Sequence, residues 1–520
     1  MNSTRTVIVL AAGEGKRMKS SLPKVLHPVL GRTLLGHVLA AAEPVGATTT
    51  AVVVGHGADQ VRAHLADIAP DATAVLQAEQ RGTGHATRVA MEATGTATGT
   101  VLVINGDVPL LRASTLVNLI EAHEAAGAAV TVLTAEVANP TGLGRIVRDP
   151  AGGVEAIVEE RDATAAQRAI VEINAGVYAF DAALLGVALT KLTTQNAQGE
   201  EYLTDVVRLL ADAGHLVAAH RASDATEALG ANDRAELATL RALLRDRINA
   251  DLMRSGVTMI DPATTWVDVT VSVGRDAVIE PNTQLRGGTV VGEGAIVGPD
   301  TTLTDTSVGD GATVVRTHAV DAEVGPGASV GPFAYLRPGT RLGRKAKVGT
   351  FVETKNATLG EGAKVPHLTY AGDATIGAGA NVGAGVIVAN YDGVRKHHTV
   401  IGESAFVGCD STLVAPVDVG AGAYVAAGTT VVQPVPPGAL GVGRTPQRNV
   451  EGWVTRKRPG TRSATAASAA TSAPASAGAS AGGSAGASAA SEVTQGDSVG
   501  GHAGAGGERT PQGSGDTATE

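Results

Sequence analysis

The feature that most constrains this chain is a six-residue period. From residue 273 onward the sequence falls into hexads that open with an aliphatic residue, usually followed by Gly: VGRDAV, VGEGAI, VGPDTT, VGDGAT, VGPGAS, LGRKAK, IGAGAN, VGAGVI, IGESAF, VGCDST and VGAGAY. Such a period is the signature of a parallel β-helix. Each hexad supplies a short strand with its aliphatic residue inward and a tight turn, and three hexads close one triangular coil. Stacked coils bury aliphatic on aliphatic, which accounts for four Phe, six Tyr and two Trp among 520 residues against 67 Gly. Low-complexity sequence does not hold a register over roughly 160 residues, so disorder is excluded for this region. The register breaks once, at VANYDGVRKHHTV (388–400). An insertion in a solenoid projects from one face, often the binding face.

The first 233 residues follow a different grammar. Apolar, β-branched runs at 6–12, 50–55, 99–106 and 128–137 alternate with helix-like stretches such as 85–93 and 113–127. That alternation predicts an α/β domain, a mostly parallel sheet with helices on both faces. Residues 234–254 carry apolar residues at helical spacing with no Gly or Pro, and read as one connecting helix. Residues 255–457 form the repeat domain. From 458 the chain is Ala, Ser, Gly and Thr with no ring, too poor in apolar surface to offset ordering, and is expected to be disordered.

Charge and cysteine usage narrow the functional classes. Forty-one basic and 51 acidic side chains give a net charge of −10, against a general nucleic-acid binder. The single cysteine, Cys409, cannot form an intramolecular disulfide. The N-terminal apolar run is too short for a secretion signal, and no stretch approaches the ~18 apolar residues of a membrane span. These features point to a cytoplasmic enzyme.

Two constellations carry chemistry. LAAGEGKRM (10–18) follows a strand and precedes LPKVL (22–26). Gly13 and Gly15 let backbone N–H groups approach a phosphate, and Lys16, Arg17 and Lys24 supply positive charge. INGDVPL (104–110) ends a strand, where Asp107 can hold Mg²⁺ against a triphosphate. In the hexad array, LRPGTR (336–341), FVETKN (351–356), VPHLTYAGDA (365–374), GANVGAG (379–385) and ANYDG (389–393) break the aliphatic rule. Arg337 and Lys355 are 18 residues apart, one coil, so they stack on one edge about 5 Å apart. Two stacked cations are costly unless an anion such as a sugar phosphate sits between them.

The string LAAGxGxRM with LPK resembles the sugar-1-phosphate nucleotidyltransferases, which use a Rossmann-like domain. Residues 1 to about 455 resemble the bifunctional N-acetylglucosamine-1-phosphate uridyltransferase/glucosamine-1-phosphate acetyltransferase family. The resemblance implies a left-handed β-helix, a homotrimer, and two reactions: acetyl transfer from acetyl-CoA to glucosamine 1-phosphate, then uridylyl transfer from UTP to N-acetylglucosamine 1-phosphate, for cell-wall precursor synthesis. By the same resemblance, Leu10, Ala11, Ala12, Gly13, Lys24, Gln77, Gly82 and Thr83 hold UTP, the last three against uracil, and Arg17 and Lys24 are catalytic, neutralising charge at the α-phosphate. Gly144, Glu159 and Asn174 line the N-acetylhexosamine pocket, and Asn232 joins Asp107 on Mg²⁺. In the β-helix, His367 matches the general base, and Arg337, Lys355, Tyr370 and Asn381 the sugar-phosphate contacts. Ala384, Asn390, Tyr391, Cys409, Ala427 and Arg444 match the acetyl-CoA contacts. Two residues depart from the family pattern: Cys409 stands where a small hydroxyl residue is usual, and Lys16 where Ser or Thr is common. Two rivals remain: a monofunctional nucleotidyltransferase whose β-helix serves only assembly or regulation, and a non-catalytic trimeric scaffold with relict sites. The joint presence of Arg337, Lys355, His367 and Asn390–Tyr391 counts against the first. The intact LAAGEGKRM, GDVP and HLTY strings count against the second.

Overall fold

The computed structural model describes residues 4–472. The chain divides into two compact units, Met1–Thr445 and Pro446–Glu520.

The first unit opens with a seven-strand path in the order Val217–Arg221, Val130–Glu136, Glu172–Asp181, Thr100–Asn105, Arg5–Ala11, Thr49–Val54, Thr73–Leu76. Arg5–Ala11 runs parallel to both Thr49–Val54 and Thr100–Asn105, whereas Glu172–Asp181 is antiparallel to its neighbours. The expected, mostly parallel sheet is therefore present, with one reversed strand. Its central strands are buried on both faces, so their residues read as unbroken Val, Ile and Leu runs. Separate apolar clusters cover the two faces: Leu35, Val38, Leu116 and Leu119 on one, and Ala90, Leu185, Val206 and Leu210 on the other.

Helix Arg234–Arg254 begins at an Asp233 cap whose carboxylate accepts from the Ala235 and Glu236 N–H groups. Leu237, Leu240 and Leu244 pack it against Met18, Val29, Leu34 and Leu110 of the α/β domain. Its far end touches the β-helix, with Ile248 and Leu252 against that core.

The hexads form short strands that pair in parallel with the strand one coil later. Ser272 pairs with Val290, 18 residues on, and Thr313 with Ser329, 16 on. The buried core is Val, Leu, Ile, Ala and Met with no ring among its members. A second buried set was not evident from the hexads. Thr289, Thr340 and Thr369 lie inside, each hydroxyl donating to a nearby carbonyl, of Arg286, Arg337 and His367. Their β-branched shape suits a strand, and the satisfied hydroxyl removes the desolvation cost. At the insertion one coil takes 25 residues: Ala374 pairs with Thr399 and Asn381 with Phe406. The stack continues unbroken across it.

In the second unit, Trp453–Lys457 and Arg462–Ser472 are helical. The latter falls in the segment expected to lack structure. Its Ala-rich sequence, RSATAASAATS, explains the difference, since Ala is the best helix former and needs no buried face to adopt the conformation. The remainder of the expected tail, 473–520, lies outside the described residues. No helix among the described residues is long and apolar enough to cross a membrane.

Candidate active sites

The carboxyl ends of four adjacent parallel strands open into a cavity of about 520 Å³, the usual ligand position in an open α/β sheet. Leu10, Ala11, Ala12, Gly13, Arg17 and Lys24 line it from the first strand and its loop. Gln77, Gly82 and Thr83 come from the end of the edge strand, and Asp107 and Asn232 close the far side. Every residue expected to contact UTP through its loop lies here. Gln80, Asn105 and Glu200 also line the cavity and were not singled out from the sequence. The Gln80 amide donates to the Ala12 carbonyl at 2.9 Å, pinning the loop.

Close approach explains the glycines at two positions. Gly15 has φ +63°, and a Cβ there would meet the Lys24 Cβ at 2.7 Å. Gly82 has φ +109°, with the Glu201 carbonyl oxygen 2.5 Å from where a Cβ would be. The loop is also held from behind. Met18 is buried against the connecting helix, and Arg234 Nε donates to the Met18 carbonyl at 3.2 Å.

Lys24 Nζ stands 2.5 Å from Asp107 Oδ2 and 2.9 Å from Asn232 Oδ1. Two hard oxygens from distant parts of the chain thus converge on one cationic point. Among the described residues no three His, Cys, Asp or Glu side chains converge to hold a metal. Oxygen donors of this kind suit a hard divalent cation that keeps several waters and is bound through one or two carboxylates plus substrate phosphates.

The residues assigned to the hexosamine pocket form an adjoining group rather than part of the same wall. Asn174 N–H donates to the Gly144 carbonyl at 2.9 Å, and the Asn174 amide donates to the Tyr178 hydroxyl at 2.6 Å. The Thr204 hydroxyl donates to Glu159 Oε1 at 3.3 Å. Burial pushes the Glu159 carboxyl above the ordinary range, with Asp205 and Asp162 adding to the effect and Thr204 and Arg145 opposing it. Asn105, which lines the nucleotide cavity, packs against Gly176 of the strand that carries Asn174.

The second constellation lies along one corner of the β-helix. His367 ends one strand and Tyr370 begins the next, with Leu368 and Thr369 turning between them. The His367 ring is exposed. Arg337 N–H donates to the Thr354 carbonyl, in a register that sets Arg337 beside Lys355, and Lys355 in turn pairs with Gly372. The stacked-cation expectation needs one correction. Sequence reasoning left neutralisation to a substrate, but the protein supplies anions itself: Arg337 donates to Glu353 at 2.7 Å, which raises the guanidinium's affinity for its proton. Strands have a side chain every residue on alternating faces, so a carboxylate one coil on was in reach.

Lys355 gains a neighbour from the insertion. Hydrogen bonding and charge from Lys396 hold the Lys355 ammonium below its ordinary value, with Arg337 adding to this and Asp373 opposing it. Burial raises the Asp373 carboxyl, yet the Asn356 and Asn390 amides and the charges of Lys396 and Lys355 outweigh it and hold the group low. Lys396 escaped the sequence reading because no period places an inserted residue. The insertion is self-braced: Asp392 Oδ1 accepts from the Val394 and Arg395 N–H groups, and Oδ2 pairs with His397 at 2.6 Å. Asn390 donates to Asp373 at 2.5 Å, while the Tyr391 ring is exposed.

Asn381 lies one coil later, paired with Lys364 at the start of the strand that His367 ends. The remaining acetyl-CoA candidates stack on successive coils. Asp410 N–H donates to the Ala384 carbonyl, Gly428 N–H to that of Cys409, and Arg444 to that of Ala427 at 3.0 Å. Cys409 is a free, exposed thiol.

Comparison with known proteins bears on both constellations. A MobA-like NTP transferase domain matches residues 7–257, through the connecting helix, and the bacterial transferase hexapeptide family matches residues 270–305. The bifunctional protein GlmU of Thermobifida fusca is 60% identical over 462 residues, covering 88% of this chain and 96% of that one. That of Streptomyces avermitilis is 58% identical over 460 residues, 88% and 95% of the two chains, and that of Corynebacterium efficiens 53% over 467, 89% and 96%. With this identity over nearly the full length of its relatives, the chain belongs to the GlmU family of bifunctional transferases.

Proposed function

We propose that each reaction of the family has its own site on this chain. The protein is a bifunctional enzyme of UDP-N-acetylglucosamine synthesis, an acetyltransferase and a uridyltransferase. Uridylyl transfer belongs to the α/β domain, 1–233, and acetyl transfer to the β-helix, 255–457, with 234–254 connecting them. The observation that carries the first assignment is the convergence of Lys24, Asp107 and Asn232 opposite the glycine loop.

A sugar phosphate is already ionised near neutral pH, so its attack on the α-phosphate of UTP needs no general base. The demands are charge neutralisation and in-line placement. Arg17, Lys24 and the loop N–H groups meet the phosphates, and Gly144, Glu159 and Asn174 receive the sugar. Asp107 and Asn232 would hold Mg²⁺, which when bound neutralises charge developing on the departing pyrophosphate.

In the β-helix, Arg337, Lys355 and Lys396 offer a cationic corner for the phosphate of glucosamine 1-phosphate, with Tyr370 and Asn381 on the sugar. His367 takes a proton from the attacking amine. Ala384, Asn390, Tyr391, Cys409, Ala427 and Arg444 line the path of acetyl-CoA. A prism corner has little concavity, and the exposed His367 and Tyr391 fit a pocket completed by a neighbouring subunit of a left-handed, trimeric β-helix. A cytoplasmic location suits substrates of this kind.

Purified full-length protein given glucosamine 1-phosphate and acetyl-CoA should release thiol, and on addition of UTP and Mg²⁺ should release pyrophosphate. Pyrophosphate release that did not depend on prior acetylation would refute the order. The shared pocket is tested by mixing His367→Ala with Asn390→Ala subunits. Partial recovery of acetyl transfer is expected, and verified mixed trimers without recovery would place the pocket within one chain.

A further inference from the structure

Gln77 follows strand Thr73–Leu76, is 5% exposed and lines the nucleotide cavity. Its Nε2 lies 3.0 Å from the Gly82 carbonyl oxygen and 3.1 Å from Nδ1 of His85. A backbone carbonyl only accepts, so the atom facing Gly82 is the amide NH₂, and chemistry alone settles which way the side chain points. One N–H goes to Gly82. The other is directed at His85 Nδ1, which must carry the ring's lone pair. Both donors of the amide are then used, and Gln77 Oε1 has no protein partner among the described residues. The only atom that Gln77 can offer a ligand is a pure acceptor.

His85 is itself firmly placed. It stands in the first turn of helix Thr83–Thr94, where Gly84 N–H donates to the Glu201 carbonyl at 2.8 Å and the Thr83 hydroxyl accepts from Leu203 N–H at 3.0 Å.

We propose that His85 sets the nucleobase preference of uridylyl transfer by holding the Gln77 amide with its oxygen toward the cavity. This rests on the placement of uracil against Gln77. Uracil presents N3–H, a donor, where cytosine presents a bare nitrogen acceptor. A fixed acceptor pairs with the first and opposes the second, and a site built around a hydrogen bond rejects the analogue that cannot make it. Gly82 alone leaves one N–H of Gln77 unclaimed and available to a cytosine. His85 removes that option. Thymine shows the same N3–H edge as uracil, so this pair does not separate UTP from dTTP. His85 acts through Gln77 and is a positioning residue.

The test is kcat/KM for UTP, CTP and dTTP with the full chain, followed by pyrophosphate release, with acetyl transfer as the folding control. His85→Leu, which removes the acceptor, should lower the UTP-to-CTP ratio about tenfold, the size of one hydrogen bond. The UTP-to-dTTP ratio should hardly move. His85→Asn, whose Oδ1 can take the place of Nδ1, should restore the UTP-to-CTP ratio to within about threefold of wild type. Gln77→Ala should abolish the preference. An unchanged ratio in His85→Leu, with the preference lost in Gln77→Ala, would overturn the role of His85. A wild-type ratio in Gln77→Ala would instead show that uracil does not lie on Gln77. Should His85→Leu destabilise the α/β domain, His85→Ala lacks the acceptor equally and gives the same reading.

Discussion

The two sites of this protein are built on opposite plans. In the α/β domain the functional groups come from loops far apart in sequence, converge on one cavity, and are paired with one another: Lys24 with Asp107 and Asn232, Gln77 with Gly82 and His85. On the β-helix they come from successive coils at nearly fixed spacing and lie along an edge, with His367 and Tyr391 exposed. A doubly wound sheet gathers loops at one end and so makes a pocket by itself. A prism repeats one corner and makes a ladder, which needs an insertion and a second surface to become a pocket. The difference teaches that the first set of groups meets around a cavity formed by one chain, whereas the second lies open along an edge and would need a neighbouring subunit to enclose a ligand.

The strongest way to break this comparison is at Asp107. Asp107→Ala removes an oxygen that would hold the metal and leaves Lys24 without its carboxylate, so pyrophosphate release should fall by about 10³-fold or more. Thiol release should be unchanged. Loss of both activities in a folded protein would mean that the sites are not separate. His367→Ala should lower acetyl transfer by roughly 10²–10⁴-fold, the span of a general base, with little change in KM for glucosamine 1-phosphate because the anion contacts remain. A KM effect alone would make His367 a binding residue.

A smaller effect sharpens the contrast in burial. The folded state holds the Glu159 proton more tightly than the unfolded chain does, because burial opposes the charged form. Stability from this group is full below the ordinary carboxylate pKa and is lost as pH rises through the raised value. Glu159→Gln should therefore raise the melting temperature of the protein near pH 7 by about 2–4 °C. The gain should vanish below about pH 4. Thermal unfolding across that range would show it, and a variant less stable at neutral pH would contradict the sign. The smallest effect is expected at the end of the chain: deletion of 458–520 should leave both activities within about twofold of the full chain. Loss of acetyl transfer would show that the segment contributes to that activity.

Legibility in the sequence followed the same divide. The coil of the β-helix could be read directly, because a hexad period is a statement about geometry, and Arg337 and Lys355 fell on one edge as their 18-residue spacing implies. Lys396 was invisible to that logic, since an insertion has no register. Nor does a period reveal Glu353 on Arg337, which needs the strand one coil away to be seen. In the α/β domain the glycine loop and Asp107 announced themselves at strand ends. By contrast, the joining of Asn232 to Asp107 across 125 residues came only from resemblance, because nothing local in ANDR speaks of the distant strand. His85 opens the helix-like stretch 85–93 and carries no signal of its own, its meaning residing in which way an amide eight residues earlier is turned.

The connecting helix carries a consequence for dissecting the chain. Its first turn reaches the Met18 carbonyl through Arg234, its side chains bury Met18, and its cap directly follows Asn232. A fragment ending at 233 would keep the whole sheet and every phosphate-binding residue, yet would leave the nucleotide loop without its backing and Asn232 on a frayed end. A fragment meant to keep uridylyl transfer should therefore run on through Arg254, so that the helix that looks like a spacer stays with the sheet it backs.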